Sequence, residues 1–281
     1  MIKDYALKIL KESLRQDVGF GDITTELIIP EDLNCRGVIK SKEECIVCGL
    51  DFVMELFKSY GVECRPLVKE GDLVHGDILE VYGNARTILI LERTVLNFLM
   101  HLSGIATKTY NVVKKVRQIN KNVRIACTRK TLPNLSILEK YAVFVGGGDT
   151  HRFRLDDCVM IKDNHIAVVG IEKAFERIKK VSFTKKIEVE VDNLEQLREV
   201  LKYKPDIVLL DNFRLEDIGK ALEIIDNYEK EHNYRPIVEV SGGIKESNVL
   251  DYAKYDVDVI SMGCLIHSAR AVDISLDVNI L

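Results

Sequence analysis

The chain has 281 residues, 40 Lys and Arg against 44 Asp and Glu for a net charge of −4, and 47% hydrophobic residues. That length and apolar content exclude a disordered chain and allow one barrel-sized domain plus a smaller one. The charge argues against nucleic-acid binding, and no uninterrupted apolar run reaches the roughly 20 residues that span a bilayer.

The first residues open directly into an amphipathic pattern, with Ile2, Tyr5, Ala6, Ile9 and Leu10 at helical spacing over residues 2–15 and no signal peptide. Gly19-Phe20-Gly21-Asp22 ends that helix. From about residue 30 to 90 short β-like runs alternate with glycine turns, which predicts a small antiparallel β domain with a helix near Phe52–Tyr60. Two Gly-Asp turns are expected at Gly71 and Gly76. Residues 91–120 read as one long helix, broken or bent near Gly104, with Leu91, Val95, Phe98, Leu99 and Leu102 on its apolar face. Seven cysteines, an odd number in apolar surroundings, predict reduced thiols in a cytoplasmic protein. Cys45 and Cys48 have the CxxC spacing, but no second pair accompanies them at the spacing of a zinc site.

Six short apolar segments follow, each ending at a polar or glycine cluster: Val123–Cys127 at Thr128-Arg129-Lys130, Cys158–Ile161 at Lys162, Ile187–Val189 at Glu190, Ile207–Leu210 at Asp211, Ile237–Val240 at Ser241-Gly242-Gly243, and Val257–Met262 at Gly263. Amphipathic segments separate them. The fold class this implies is α/β: an incomplete parallel α/β barrel over residues 107–270, with an N-terminal α+β domain over 1–106 to which residues 271–281 return. Such barrels carry their sites at the C-terminal ends of the strands.

Arg129, Lys130 and Lys162 fall at strand ends, His165 follows closely, and His151-Arg152 come after Gly146-Gly147-Gly148. So many positive groups in one mouth repel one another unless the ligand is a polyanion. Glu190 and Asp211 end neighbouring strands, where they can hold ribose hydroxyls or a divalent metal, or act as acid and base. Glu188 lies deeper on the same side of its strand and is expected to pair with a buried cation. Ser241-Gly242-Gly243 and Gly263-Cys264 close the last two strands, a place where barrels bind phosphate. Together these residues outline a site for a phosphoribosyl donor and a carboxylated acceptor.

Gly21-Asp22-Ile23-Thr24-Thr25, Leu91–Asn97, Leu102–Thr107, Thr128-Arg129-Lys130-Thr131, Glu139–Val143, Gly146–Gly148, His151-Arg152, Ile161–His165, Glu188–Glu190, Leu210–Asn212, Ser241–Ile244 and Asp273–Leu276 resemble, in order and over nearly the whole chain, the quinolinate phosphoribosyltransferase family. The resemblance implies transfer of phosphoribose from phosphoribosyl pyrophosphate to quinolinate with loss of CO2 and a need for Mg²⁺. It also implies a homodimer or larger assembly with shared active sites. Lys130, Lys162, Glu190 and Asp211 would be catalytic. Thr128, Arg129, Lys130, His151, Arg152 and Lys162 would hold quinolinate and pyrophosphate, supported by His165, with Arg93 entering from the neighbouring subunit. Glu190 and Asp211 would meet the ribose and, through the donor, the metal. Ser241, Gly242, Gly243, Gly263 and Cys264 would cradle the 5′-phosphate. The chain departs from the family where Pro-Gly-Leu-Arg is usual, reading Pro133-Asn134-Leu135-Ser136, and has Thr150 for asparagine. These departures leave room for a paralogue of the molybdate-operon type acting on another acidic acceptor, or for a non-catalytic phosphate-binding protein. The intact Ile161-Lys162-Asp163-Asn164-His165 argues against the molybdate-operon group.

Overall fold

A computed structural model describes residues 1–281. They form two compact units. The first comprises Met1–Tyr110, Thr131–Gly147 and Leu265–Leu281, and the second Asn111–Lys130 with Gly148–Cys264.

In the first unit, α1 (Ile2–Val18) buries Ala6, Leu10 and Leu14 along one stripe and ends at Gly19, whose φ of 59° no β-carbon opposes. Asp22 caps α2 (Ile23–Ile28) by accepting the N–H of Thr25 at 3.1 Å, which gives the Gly-Asp-Ile-Thr-Thr run a local structural reason. Next come β1 (Asn34–Ile46), α3 (Leu50–Ser59), β2 (Glu63–Pro66) and β3 (Leu73–Asn84). The half-buried carboxylate of Glu70 takes the N–H groups of Gly49 (2.7 Å) and Leu50 (2.9 Å), so a side chain far in sequence caps α3. The last strand of the chain, β10 (Ile274–Ile280), pairs antiparallel with β1, with Ile39 opposite Leu276. The sheet order is β10-β1-β3-β2, the antiparallel domain and C-terminal return the sequence predicts. Gly71 makes a turn with φ 85°, but Gly76 lies inside β3, opposite Ser41 and beside a break in register.

The long helix α4 runs from Ala85 to Val116 without interruption at Gly104. Of its predicted face, Leu91, Val95, Leu99 and Leu102 are at most 1% exposed, and Phe98 is half-buried. Gly104 serves close packing instead of a break. A β-carbon there would stand 2.2 Å from the carbonyl oxygen of Arg270, on the segment leading into β10. By length and composition α4 could cross a membrane, and 56% of its most apolar window is buried inside the protein. Helix α5 (Ser136–Val145) belongs to this unit, whereas the sequence places residues 131–147 with the barrel. Buried Glu139 bonds His101 Nε2 (2.9 Å) and the N–H of Leu132 (2.9 Å), and the Tyr141 ring packs on Phe52. Those long-range contacts decide its place. Asn134, where the family usually has glycine, takes the left-handed conformation, with φ 65°.

The second unit carries six parallel strands: β4 (Arg124–Ala126), β5 (Val159–Ile161), β6 (Ile187–Val191), β7 (Ile207–Asp211), β8 (Ile237–Ser241) and β9 (Val259–Ser261). Their order is β4-β9-β8-β7-β6-β5, so β4 and β5 are edges and the barrel is incomplete. Asp149 bridges to Ala126 beside β4. The intervening helices are α6 (Asp163–Val169), α7 (Ile171–Ile178), α8 (Leu194–Leu201), α9 (Leu215–His232) and α10 (Val249–Tyr252), and α11 (Cys264–His267) follows β9. Side chains alternate across each strand. Val189, Val191, Val208, Leu210, Val238 and Val240 point one way and are at most 1% exposed. Glu188, Glu190, Leu209, Asp211, Glu239 and Ser241 therefore share the other face, and the register brings Glu190 opposite Leu209, Leu209 opposite Glu239, and Asp211 opposite Ser241.

Candidate active site

That polar face opens into a cavity of about 380 Å³ lined by Thr128, Arg129, Lys130, His151, Arg152, Met160, Lys162, Glu190, Leu209, Asp211, Glu239, Ser241 and Ser261. The sequence identifies nine of these, and the structure brings them together. It misses Met160, Leu209, Glu239 and Ser261. The signal for three of them is the strand period: Met160 is two residues before Lys162, Leu209 two before Asp211, and Glu239 two before Ser241.

Lys162 ends β5, and its ammonium meets Glu190 Oε2, at the end of β6, at 2.6 Å. Its N–H is accepted by Nδ1 of His165 at 3.0 Å, so His165 caps α6 and does not line the cavity. Asp211 is held by Nδ2 of Asn212 at 2.6 Å. Burial, and then the negative charge of Glu190, raise the Asp211 carboxyl above its ordinary value. Arg152 donates to Cys158 O (3.2 Å) and Met160 Sδ (3.3 Å), which leaves other guanidinium protons for a ligand. Glu188, fully buried, faces His151 as a buried carboxylate facing a cation should: Nε2 is 3.6 Å from Glu188 Oε1 and 3.3 Å from Glu239 Oε2. Burial lowers the His151 pKa, but the two glutamates outweigh it and raise it to about 10. The backbone nitrogen of Arg152 lies 2.7 Å from Nδ1 of the same ring.

The remaining expected residues lie elsewhere. Arg93 is exposed on α4 in the first unit. A β-carbon at Gly242 (φ 94°) would lie 2.3 Å from Asn212 Oδ1, so close packing with Asn212 requires that glycine. Gly243 (φ 62°) faces open space. Gly263 is not part of the cavity lining, and the Cys264 side chain is buried with its thiol toward Ile244 O (3.4 Å), so only its backbone remains for a ligand. Gly146, in the triple-glycine run, has Ala106 O at 2.4 Å from its β-carbon position and serves helix packing, not ligand approach.

An open parallel α/β sheet with guanidinium and ammonium groups gathered over paired carboxylates at its strand ends defines an enzyme for anionic substrates. Family models for the C-terminal and N-terminal domains of quinolinate phosphoribosyl transferase match residues 105–277 and 22–103. A probable nicotinate-nucleotide pyrophosphorylase [carboxylating] of Methanocaldococcus jannaschii is 65% identical, with 99% of both chains covered. The nicotinate-nucleotide pyrophosphorylase [carboxylating] of Mycobacterium leprae is 37% identical, covering 98% of this chain and 97% of that one. The solved structure of the nicotinate-nucleotide pyrophosphorylase from Francisella tularensis superposes with a TM-score of 0.91 at 39% identity, covering 99% of this chain and 97% of that one. The chain belongs to the quinolinate phosphoribosyltransferase family.

Proposed function

We propose that this chain transfers the phosphoribosyl group of phosphoribosyl pyrophosphate to quinolinate, giving nicotinate mononucleotide, pyrophosphate and CO2, a step of NAD biosynthesis. The observation that carries the reading is the placing of Arg129, Lys130, Arg152 and Lys162 around Glu190 and Asp211 in one cavity. The ring nitrogen of quinolinate attacks the anomeric carbon as the bond to pyrophosphate breaks. The positive charge that develops on the ribose is stabilised by Glu190 and Asp211. The carbon–carbon bond to the 2-carboxylate then breaks, its electrons stay on ring carbon 2 beside the cationic nitrogen, and that carbon takes up a proton. Arg129 and Arg152 suit the acceptor carboxylates, because a guanidinium bonds both oxygens of one face. Lys130 and Lys162 place point charges against the pyrophosphate, and Ser241 with Gly243 borders the place for the 5′-phosphate.

Two adjacent carboxylates, with Asp211 raised by burial and by Glu190, also suit a hard cation. Glu190 and Asp211 would hold Mg²⁺ through the donor, where it neutralises the departing pyrophosphate. Arg93, exposed on α4, would complete the site of a neighbouring copy in a homodimer or larger assembly. All seven cysteines are free, which supports a reducing cytoplasm. The test is direct: incubate the protein with phosphoribosyl pyrophosphate, Mg²⁺ and either quinolinate or nicotinate, and follow pyrophosphate and CO2. Release of both products with quinolinate alone is expected, and turnover of nicotinate instead would defeat the reading.

A further inference from the structure

The turn that leads into β6 gathers positive charge and a bare aromatic ring on a protein that is otherwise net acidic. Lys179-Lys180-Val181-Ser182-Phe183-Thr184-Lys185-Lys186 holds four lysines and no acid, within a chain of net charge −4. Its polar groups are satisfied locally. The Lys185 N–H returns to Ser182 O at 2.9 Å, the Val181 N–H to Ile178 O at 2.9 Å, and the Ser182 and Thr184 hydroxyls share a hydrogen bond of 2.9 Å. The chain therefore closes a Ser182–Lys185 turn whose second residue is an aromatic, where small polar residues are the usual choice. Phe183 is 99% exposed, and Val181 is exposed beside it.

The lysines are as little used as the ring. Lys185 donates to Asp156 O, whereas Lys179, Lys180 and Lys186 are exposed and their ammonium groups have no hydrogen bond or ion pair. Lys202, on the turn between α8 and β7, adds another free ammonium. That turn adjoins the first, because Asp206 Oδ2 accepts the Ile187 N–H at 2.8 Å and Tyr203 stacks on Phe175 at 4.4 Å. The acids of this region, Glu172 and Glu176 on α7 and Glu199 on α8, bear on Tyr203 and pair with none of these lysines.

Two observations select the partner. The cations of the turn are all lysine, a hydrated point charge that suits a diffuse negative surface, whereas reading the phosphates of a nucleic acid draws on arginine forks. A nucleic-acid strand also stacks successive bases on several aromatics, and here Phe183 alone has both faces free, since Tyr203 lies against Phe175. An apolar wedge between pairs of lysines is the pattern of a peripheral contact with anionic lipid. We propose that the 179–186 turn seats this protein on an anionic lipid surface, with Phe183 and Val181 entering the head-group region and Lys179, Lys180 and Lys186 facing its charge. Strand β6 begins at Ile187, directly after the turn, and runs on to Glu190 in the cavity lining, so the seat lies at the opposite end of that strand from the cavity. This contact does not depend on the reaction proposed above, and turnover serves only as a check of folding.

The chain has no tryptophan, so Phe183→Trp supplies a single fluorescent reporter. With phosphatidylcholine vesicles holding about 30% phosphatidylglycerol at about 0.05 M salt, its emission should shift to the blue and the wild type should co-sediment. Neither should occur with phosphatidylcholine alone, and about 0.5 M salt should release the protein. Lys179→Gln/Lys180→Gln should weaken binding about tenfold or more and Phe183→Ser about tenfold, with Tm and turnover unchanged. Absence of a blue shift or of co-sedimentation with the anionic vesicles would overturn the proposal, as would equal binding by the lysine variant or to neutral vesicles. Binding to polyuridylate in place of the vesicles would overturn it too, and would assign the turn to nucleic acid.

Discussion

Gly104 and Gly219 both lie inside helices, α4 and α9, and the same substitution should act on them in opposite directions. Replacing a mid-helix glycine by alanine ordinarily stabilises by about 1 kcal/mol, through restricted backbone freedom in the unfolded chain. At Gly219 the nearest atom to the new β-carbon is Tyr255 Cε1 at 3.7 Å, an ordinary contact. The full gain should appear there. At Gly104 the β-carbon would lie 2.2 Å from Arg270 O, against the roughly 3.3 Å that carbon and oxygen tolerate. Two stretches of backbone must therefore move apart by about 1 Å, and no flexible side chain can yield in their place. Overpacking of this kind costs about 1–3 kcal/mol or more, which exceeds the helix gain. Gly104→Ala should lose about 1–2 kcal/mol net and lower Tm by roughly 2–8 °C, while Gly219→Ala should raise it by roughly 2–4 °C. Thermal and urea unfolding monitored by circular dichroism measure both. Gly104→Ala at wild-type stability would show that the segment near Arg270 does not press on α4 as described.

Arg129→Ala should reduce kcat/KM by about 2–5 kcal/mol of transition-state binding, a loss of roughly 30- to 5,000-fold, read with saturating Mg²⁺. An unchanged value would mean that the acceptor is held elsewhere. Because the Asp211 pKa is raised, the carboxylate the reaction needs is lost at a higher pH than for an ordinary aspartate, so the acid limb of kcat/KM should lie above 3.8. Asp192, a further cause of that raise, offers a control outside the cavity: Asp192→Asn should move the limb to lower pH, and a limb that stays put would assign it to another group. Asn193 caps α8 by accepting the Gln196 N–H at 2.9 Å, so Asn193→Ala should cost about 1 kcal/mol in urea unfolding without changing KM. Mixing Arg93→Ala with Lys162→Ala protein should restore part of the activity through sites shared between subunits, and verified mixed dimers without recovery would refute that sharing.

The parallel sheet was legible because each strand is a short β-branched run stopped by a polar residue, and the two-residue period alone assigns one face to the core. Glu239 escaped notice because a carboxylate inside Ile237-Val238-Glu239-Val240 looks like an exception to burial, when it shares the inward face with Ser241. The glycines were the harder case. A turn, a helix break and a close approach of two backbones select the same residue, and only the partner tells them apart. At Gly104 the partner is Arg270 and at Gly242 it is Asn212. The placing of α5 depends on Glu139 with His101 and Tyr141 with Phe52, contacts between segments that no local pattern connects.

The pairing of β10 with β1 bears on how the polypeptide matures during translation. Ile39 meets Leu276 only after about 235 further residues have been made, roughly 12–50 s at ordinary elongation rates. Through that interval one side of β1 offers unpaired N–H and C=O groups to any passing extended segment, the hazard common to open sheet edges. A nascent chain stalled before Ile274 should therefore bind holdase chaperones more strongly than the finished one, and release should follow as soon as the final seven-residue strand clears the ribosome.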